Sequence, residues 1–428
     1  MIHVCALHAA GRWLFRGMVS SSPRPVDIPK NDSRFYGLIG SGLVGREPFD
    51  RRSFSGISYY FFKECERQGL LQGAAGCELE GWRKWLLLAL NYHPQKALWR
   101  MRYYLDSRYR DGLTRLLGSK LPRNESISTL LQIGAMFDGG ALLQKGGYCT
   151  SYHDGNIAMR LRSPYGARGF DERRACQAVA YERKLAQKMD RVFVMGDYLA
   201  HSFEHDLGVP ADRIVNISHG ANLDTIPEAR PDKDYASPEV LFVAVEFERK
   251  GGRVLLPAFQ RVRQQVPSAV LHVIGTRGTP PADLPMEGVK WHGFMRKEVP
   301  EEAAVIEDLY RRCSVFVLPS FYEPFGISVS EAMLYGIPPI ITGDWGVAEK
   351  VIPGVSGLHV KAGYEDSLTA ALLELLTDPA KAEAYGRAAR QRGLDRFTWP
   401  AVVKRLGRAL EEMAQEPPLS MSRPSAMS

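Results

Sequence analysis

Residues 315–320, VFVLPS, open on a short run of apolar side chains, two of them β-branched valines, with no polar residue at alternate positions before Ser320. A strand that is apolar on both sides must be covered on both faces, the situation of a parallel strand between two layers of helix. Similar runs occur near Phe35, Leu130, Tyr148, Val192 and Ile214, and again near Val240, Leu271, Val289 and Pro339. Helix-patterned segments such as 253–265 and 367–376 separate them, so each half reads as a doubly wound α/β layer structure. A chain of 428 residues exceeds one ordinary core and predicts two domains, 34–228 and 237–396. The Pro- and charge-rich stretch IPEARPDKDYASP links them. Residues 1–33 read as an extension outside the fold, 397–416 as a last helix, and 417–428 as a disordered tail.

The strand at 315–320 runs into SFYEPFGISVSEAMLYGIP, which carries Glu323 at a turn and Glu331 eight positions on. Pro324 and Gly326 break the regular backbone, and Ile327 to Tyr335 then reads as a short helix stopped by Gly336 and Pro338. A strand end followed by a helix start leaves backbone N–H groups that suit an anion such as phosphate. Two carboxylates beside that place repel phosphate but accept strong hydrogen bonds from hydroxyls. Phosphate and hydroxyls together suggest a nucleotide sugar; taken alone, the two glutamates read more readily as solvated surface residues, and it is the surrounding turn chemistry that shifts the balance.

The ordered stretch from Cys313 to Val360, with its EPFG turn, EAM helix, GIPPI strand and GVSGLHV, resembles the donor-binding signature of retaining GT-B glycosyltransferases of the GT4-like group. LFVAVEFERKGG, LHVIG and GVKWHGFM precede it in the family's order. The resemblance implies two Rossmann-like domains facing a central cleft, with the C-terminal helix crossing back to the N-terminal domain. It implies that Glu331 holds the donor ribose, and that Glu323 with the backbone of Phe325, Gly326 and Ile327 contacts the transferred sugar. Arg249 and Lys250 fall on the basic pair that binds the diphosphate, two cations suited to a leaving group. Many relatives carry a further arginine where this chain has Ala244. Nucleobase contacts are expected from the backbone of loops that include Gly293 and Met295. Gly56, in SFSG at the start of the first helix, is expected to approach the diphosphate from the opposite domain. His153 ends a strand before Asp154 and Gly155, where similar enzymes touch the sugar, and Asp154 competes for that role. His219 reads as an interdomain loop residue.

The activity so implied is transfer of a sugar from a UDP- or GDP-linked donor to the hydroxyl of a glycan or lipid-linked acceptor, with retention and without metal or other cofactor. A hexosyltransferase of cell-surface polysaccharide or glycoconjugate synthesis is expected. A sugar-nucleotide epimerase or a phosphorylase on the same fold, and a non-catalytic carbohydrate-binding scaffold, are the alternatives.

Two motifs mislead. Gly40, Gly42 and Gly45 have the spacing of a dinucleotide-binding loop, but Pro48 and clustered charge follow where a helix should open. Asp232-Lys233-Asp234 imitates a metal-binding pair but lies in the linker with no apolar strand before it, and no metal is expected there. The six cysteines form no Cys-x-x-Cys pair, and no apolar run is long enough to span a bilayer. A cytoplasmic location follows as the expectation.

Residues 81–123 hold ten Lys and Arg against Asp106 and Asp111, a net +8 that exceeds the +7 of the whole chain. Trp82, Trp85, Trp99, Tyr103 and Tyr104 are interleaved with those charges. The pattern fits peripheral contact with an anionic membrane surface, or with an acidic or lipid-diphosphate-linked glycan, and no nucleic-acid partner is expected. A solvated basic helix pair with inward aromatic rings is the plain alternative.

Overall fold

The computed structural model describes residues 33–40, 47–122, 126–143, 146–163, 165–166 and 171–422. The extension read over 1–33 lies outside them except for Ser33, as do Gly42, Gly45 and Arg123.

Twelve strands among the described residues make two sheets. The first contains β1 (Phe35–Gly40), β2 (Leu71–Cys77), β3 (Thr129–Ile133), β4 (Tyr148–His153), β5 (Arg191–Val194) and β6 (Ile214–Asn216). The second contains β7 (Glu239–Val243), β8 (Val270–Ile274), β9 (Val289–Gly293), β10 (Val315–Leu318), β11 (Pro339–Thr342) and β12 (Leu358–Val360). All pairings are parallel, in the orders β2-β1-β3-β4-β5-β6 and β12-β11-β10-β7-β8-β9. In the second sheet the winding reverses between β7 and β10, which opens a crevice beyond their C-terminal ends, the place where open α/β sheets bind ligands. β2 escaped the sequence reading because LQGAAGC has no β-branched residue; it is an edge strand and needs no apolar cover on its outer side.

Three helices, Gly81–Leu90, Lys96–Leu105 and Ser107–Lys120, stand between β2 and β3 where one crossover helix would suffice. They pack through Leu87, Tyr103, Tyr109 and Leu113 on Leu38, Cys77 and Leu130, in a small core separate from the main ones.

The last long helix, Trp399–Met413, starts on Thr398, whose hydroxyl accepts the Ala401 N–H at 3.4 Å, with Pro400 in the first turn. Val402, Val403, Leu406, Leu410 and Met413 recur at helical spacing and are buried in the core of the N-terminal sheet, so this helix crosses back as expected. Each such side chain contributes about 1.5–3 kcal/mol. Gly220 sits against the Trp399 indole so closely that an added Cβ would lie 2.4 Å from its Cγ. Gly220→Ala is therefore expected to destabilise the protein by roughly 1–3 kcal/mol through overpacking; an unchanged midpoint in chemical denaturation would contradict this seating of the helix.

The chain beyond residue 416 is not the disordered tail expected of it as far as Ser422. Leu419–Ser422 forms a helical turn, and the Leu419 N–H donates to Asp190 Oδ1 at 2.6 Å. Just before it, the Tyr148 hydroxyl donates to the Glu416 carbonyl at 2.5 Å, and Arg191 pairs with the Glu416 carboxylate at 2.7 Å. These polar contacts, absent from any composition argument, hold it to the N-terminal domain.

Candidate active site

A cleft of about 720 Å³ lies between the domains, above the reversal point of the second sheet. One wall is built from the loops after β7 and β10, which are joined backbone to backbone: the Phe321 N–H donates to the Arg249 carbonyl at 2.9 Å. Gly251 permits this approach, because a Cβ there would lie 2.1 Å from the Pro319 carbonyl oxygen and its φ is +85°. Gly326, at φ +62°, then turns the chain into the helix Ile327–Leu334.

Glu323 is buried at that turn. Its Oε1 accepts N–H groups of Gly326 at 2.8 Å and Phe325 at 3.4 Å, while Oε2 meets the Lys250 ammonium and lies 3.6 Å from Arg249 Nη1. The backbone groups that suit an anion are therefore filled by the protein's own carboxylate, which reaches forward to N–H groups two and three residues on. Arg249 also donates to the Tyr322 carbonyl at 2.5 Å and pairs with Glu246 at 2.6 Å. Burial, with the neighbouring guanidinium of Arg249, brings the Lys250 amine down to about 7. Both cations thus sit against Glu323.

Glu331 rides on the helix Ile327–Leu334 and is buried at the cleft wall. Its Oε1 takes the Lys297 ammonium and its Oε2 accepts the Tyr310 hydroxyl at 2.9 Å. Lys297 also donates to the Asn222 carbonyl of the N-terminal domain at 3.3 Å. Lys297, Tyr310 and Asn222 were not singled out from the sequence. The available signal was position: Lys297 follows the end of β9, on the ligand side of a parallel sheet.

Gly56, Met295, Phe325, Gly326 and Ile327 line the cleft, as do Arg249 and Lys250. Gly293 does not; it ends β9, and its carbonyl accepts the Gly275 N–H at 2.8 Å, shaping the loop that carries Met295. His153 is corrected as a cleft residue. Its ring is buried against Phe203, centroids 4.7 Å apart, and burial alone brings its pKa down to about 3. The side-chain alternation of β4 sends Tyr152 and His153 to opposite faces, and Asp154, one residue on, lines the cleft instead. The Asp-Lys-Asp of the linker is structural: Asp232 pairs with Arg230 at 2.8 Å, Asp234 accepts the Ala236 N–H at 2.8 Å, and Lys233 donates to the Cys313 carbonyl at 2.9 Å.

The domains meet at a polar seam beside the cleft. Helix Asp197–His205 begins after Gly196, which has no capping side chain; Glu349 of the other domain supplies one, accepting the Asp197 N–H at 2.8 Å and that of Tyr198. Lys350, fully buried, donates to the Ser330 hydroxyl at 2.5 Å and meets His219 Nε2, and burial holds both groups well below their usual pKa ranges.

Two facing parallel sheets, a C-terminal helix that returns to the first domain, and a cleft whose carboxylates and cations cluster at a reversal point define the GT-B class of two-domain α/β proteins. Residues 227–392 match the family model described as "Glycosyl transferases group 1". The match spans the second of the two sheets and its helices. It is 30% identical over 231 residues to a glycogen synthase of Mycobacterium tuberculosis, covering 53% of this chain and 55% of that protein. It is 26% identical over 250 residues to a GDP-mannose-dependent alpha-(1-6)-phosphatidylinositol monomannoside mannosyltransferase of Mycolicibacterium smegmatis, covering 53% and 64%. The chain thus matches 55% and 64% of the length of these two relatives. Its fold is that of a sucrose-phosphate synthase from Thermosynechococcus elongatus, with a TM-score of 0.63 at 18% identity over 89% of this chain and 99% of that one. It is also that of the Anabaena protein HepE in complex with UDP-glucose, with a TM-score of 0.57 at 15% identity over 89% and 100%.

Proposed function

We propose that this protein is a retaining glycosyltransferase that takes a sugar from a UDP- or GDP-linked donor. The observation that carries the reading is the convergence, at one reversal point, of Glu323 with Lys250 and Arg249 and of Glu331 with Lys297 and Tyr310. Donor phosphates would take over Lys250 and Arg249 from Glu323, freeing that carboxylate for a sugar hydroxyl. A ribose would do the same at Glu331, displacing Lys297. Charge developing on the departing phosphate is then met by cations already in place, and the phosphate itself serves to deprotonate the acceptor on the same face. Glu323 positions the sugar in this scheme and is not the nucleophile. The acceptor is a glycan or lipid-linked hydroxyl, and the place of the reaction is polysaccharide or glycoconjugate synthesis; the relatives named above, one acting on a phosphatidylinositol mannoside, support that class. No metal ion or other cofactor enters the proposed chemistry.

A thermal-shift screen of UDP-, GDP- and ADP-sugars tests this directly, since a ligand that binds only the native state raises its stability. One donor class is expected to raise the melting temperature by a few degrees, at roughly 2–4 °C per kcal/mol for domains of this size, and to be consumed only with an acceptor. Consumption without acceptor would establish an epimerase, dependence on inorganic phosphate a phosphorylase, and binding without turnover a scaffold.

A further inference from the structure

The helix Gly81–Leu90 presents to solvent the face that a surface helix ordinarily buries. Trp82, Trp85, Leu86 and Ala89 stand at i, i+3, i+4 and i+7, the spacing of a core-facing stripe. Yet both tryptophans are 70% exposed, with Leu86 at 49%, Leu90 at 54% and the following Tyr92 at 63%. Single exposed apolar residues are ordinary, whereas a contiguous group of this size marks a contact surface. The helix is held firmly from behind. Leu87 enters the small core, Trp99 Nε1 donates to the Leu88 carbonyl at 2.7 Å, and Asn91 donates to Asp106 Oδ2 at 2.7 Å.

Cations lie next to the stripe. The Arg83 guanidinium lies 5.6 Å from the Trp82 ring centroid, and Lys96 is exposed at the start of the next helix, four residues after Tyr92. We propose that this face docks on an anionic lipid bilayer, with Trp82, Trp85, Leu86 and Leu90 entering the headgroup boundary and the surrounding cations meeting lipid phosphates. Indole rings beside aliphatic side chains suit that depth, and basic residues beside it add attraction for anionic lipid. A second copy of the chain is a poorer occupant, because face-to-face packing would set Arg83 and Lys96 against their own duplicates. Nucleic acid is poorer still, since Leu86, Ala89 and Leu90 offer its phosphates and bases nothing. The proposal does not depend on the donor reading.

Sedimentation of the full chain with vesicles of phosphatidylcholine alone, or of phosphatidylcholine with phosphatidylglycerol, tests it. Binding is expected only with phosphatidylglycerol, weakening as salt is raised and accompanied by a blue shift of tryptophan emission. The double variant Trp82→Ala, Trp85→Ala should lose roughly ten- to hundredfold in partitioning, and Arg83→Glu, Lys96→Glu roughly tenfold or more. All four side chains are solvent-facing, so both variants should keep the parent's melting temperature and its shift with donor nucleotide. Binding that ignores phosphatidylglycerol or survives the tryptophan double variant would overturn the proposal. So would self-association, or binding to single-stranded DNA, that this variant abolishes while vesicles remain unbound. Should the parent show no donor shift yet still bind these vesicles, the transferase reading falls and this one stands.

Discussion

Lys250→Ala is expected to lower turnover by about a hundred- to a thousandfold, the scale of removing one preorganised charge from a developing anion. The side chain is buried beside Glu323 and Arg249, just before the Gly251-Gly252 turn that opens the next helix. Arg249 makes up for the loss only in part, since that guanidinium is also tied to the Tyr322 carbonyl and to Glu246. Near-normal turnover in a folded variant would remove Lys250 from the leaving-group role. A pH dependence accompanies this result. Burial and Arg249 hold the amine at about 7 in the unliganded protein, so above that pH a growing fraction is neutral and must take up a proton to meet a diphosphate. Nucleoside diphosphate affinity should therefore weaken as pH rises through 7, by up to about tenfold per pH unit. Stability runs the other way: between about 7 and the ordinary lysine value the unfolded chain binds the extra proton, so this group makes folding more favourable as pH rises through that window. Lys250→Arg, which stays charged throughout, should flatten the affinity profile even if it binds more weakly; a profile equally steep in that variant would assign the dependence to another group.

Glu331→Ala should weaken binding of the donor nucleotide by about ten- to a hundredfold, the loss of charge-assisted hydrogen bonds to two ribose hydroxyls. It also leaves the Lys297 ammonium and the Tyr310 hydroxyl facing a void, so some loss of stability is expected with it. Titration calorimetry with the free nucleoside diphosphate separates the effects, because it reads affinity without acceptor or turnover. A variant that binds nucleotide normally but has lost acceptor affinity would mean that the cleft is occupied in the opposite orientation.

The wall of the cleft that carries Glu323 and Glu331 was legible because its parts are local. Glu323, Pro324, Phe325 and Gly326 form one turn, Glu331 follows one turn into the helix that starts at Ile327, and the strand before them is apolar at every position. Side-chain direction was not legible to the same degree. His153 and Asp154 are neighbours at one strand end, and only the pleat of β4 puts the first in the core and the second in the cleft. Lys297 and Tyr310 approach Glu331 from 34 and 21 residues away, and Asn222 meets Lys297 across 75. No spacing rule reaches that far.

From sequence alone come two doubly wound domains, the linker between them, the existence of the last helix and the acid–base composition of the Glu323 turn, since each depends on periodicity or on chemistry within one turn of chain; the return of that helix came only with the family resemblance. The tertiary structure alone decided which charges oppose one another. Glu323 closes its own helix start and holds Lys250, Glu331 holds Lys297, and the tryptophans of residues 81–90 face outward, because partner choice is settled by packing between segments that sequence distance does not relate.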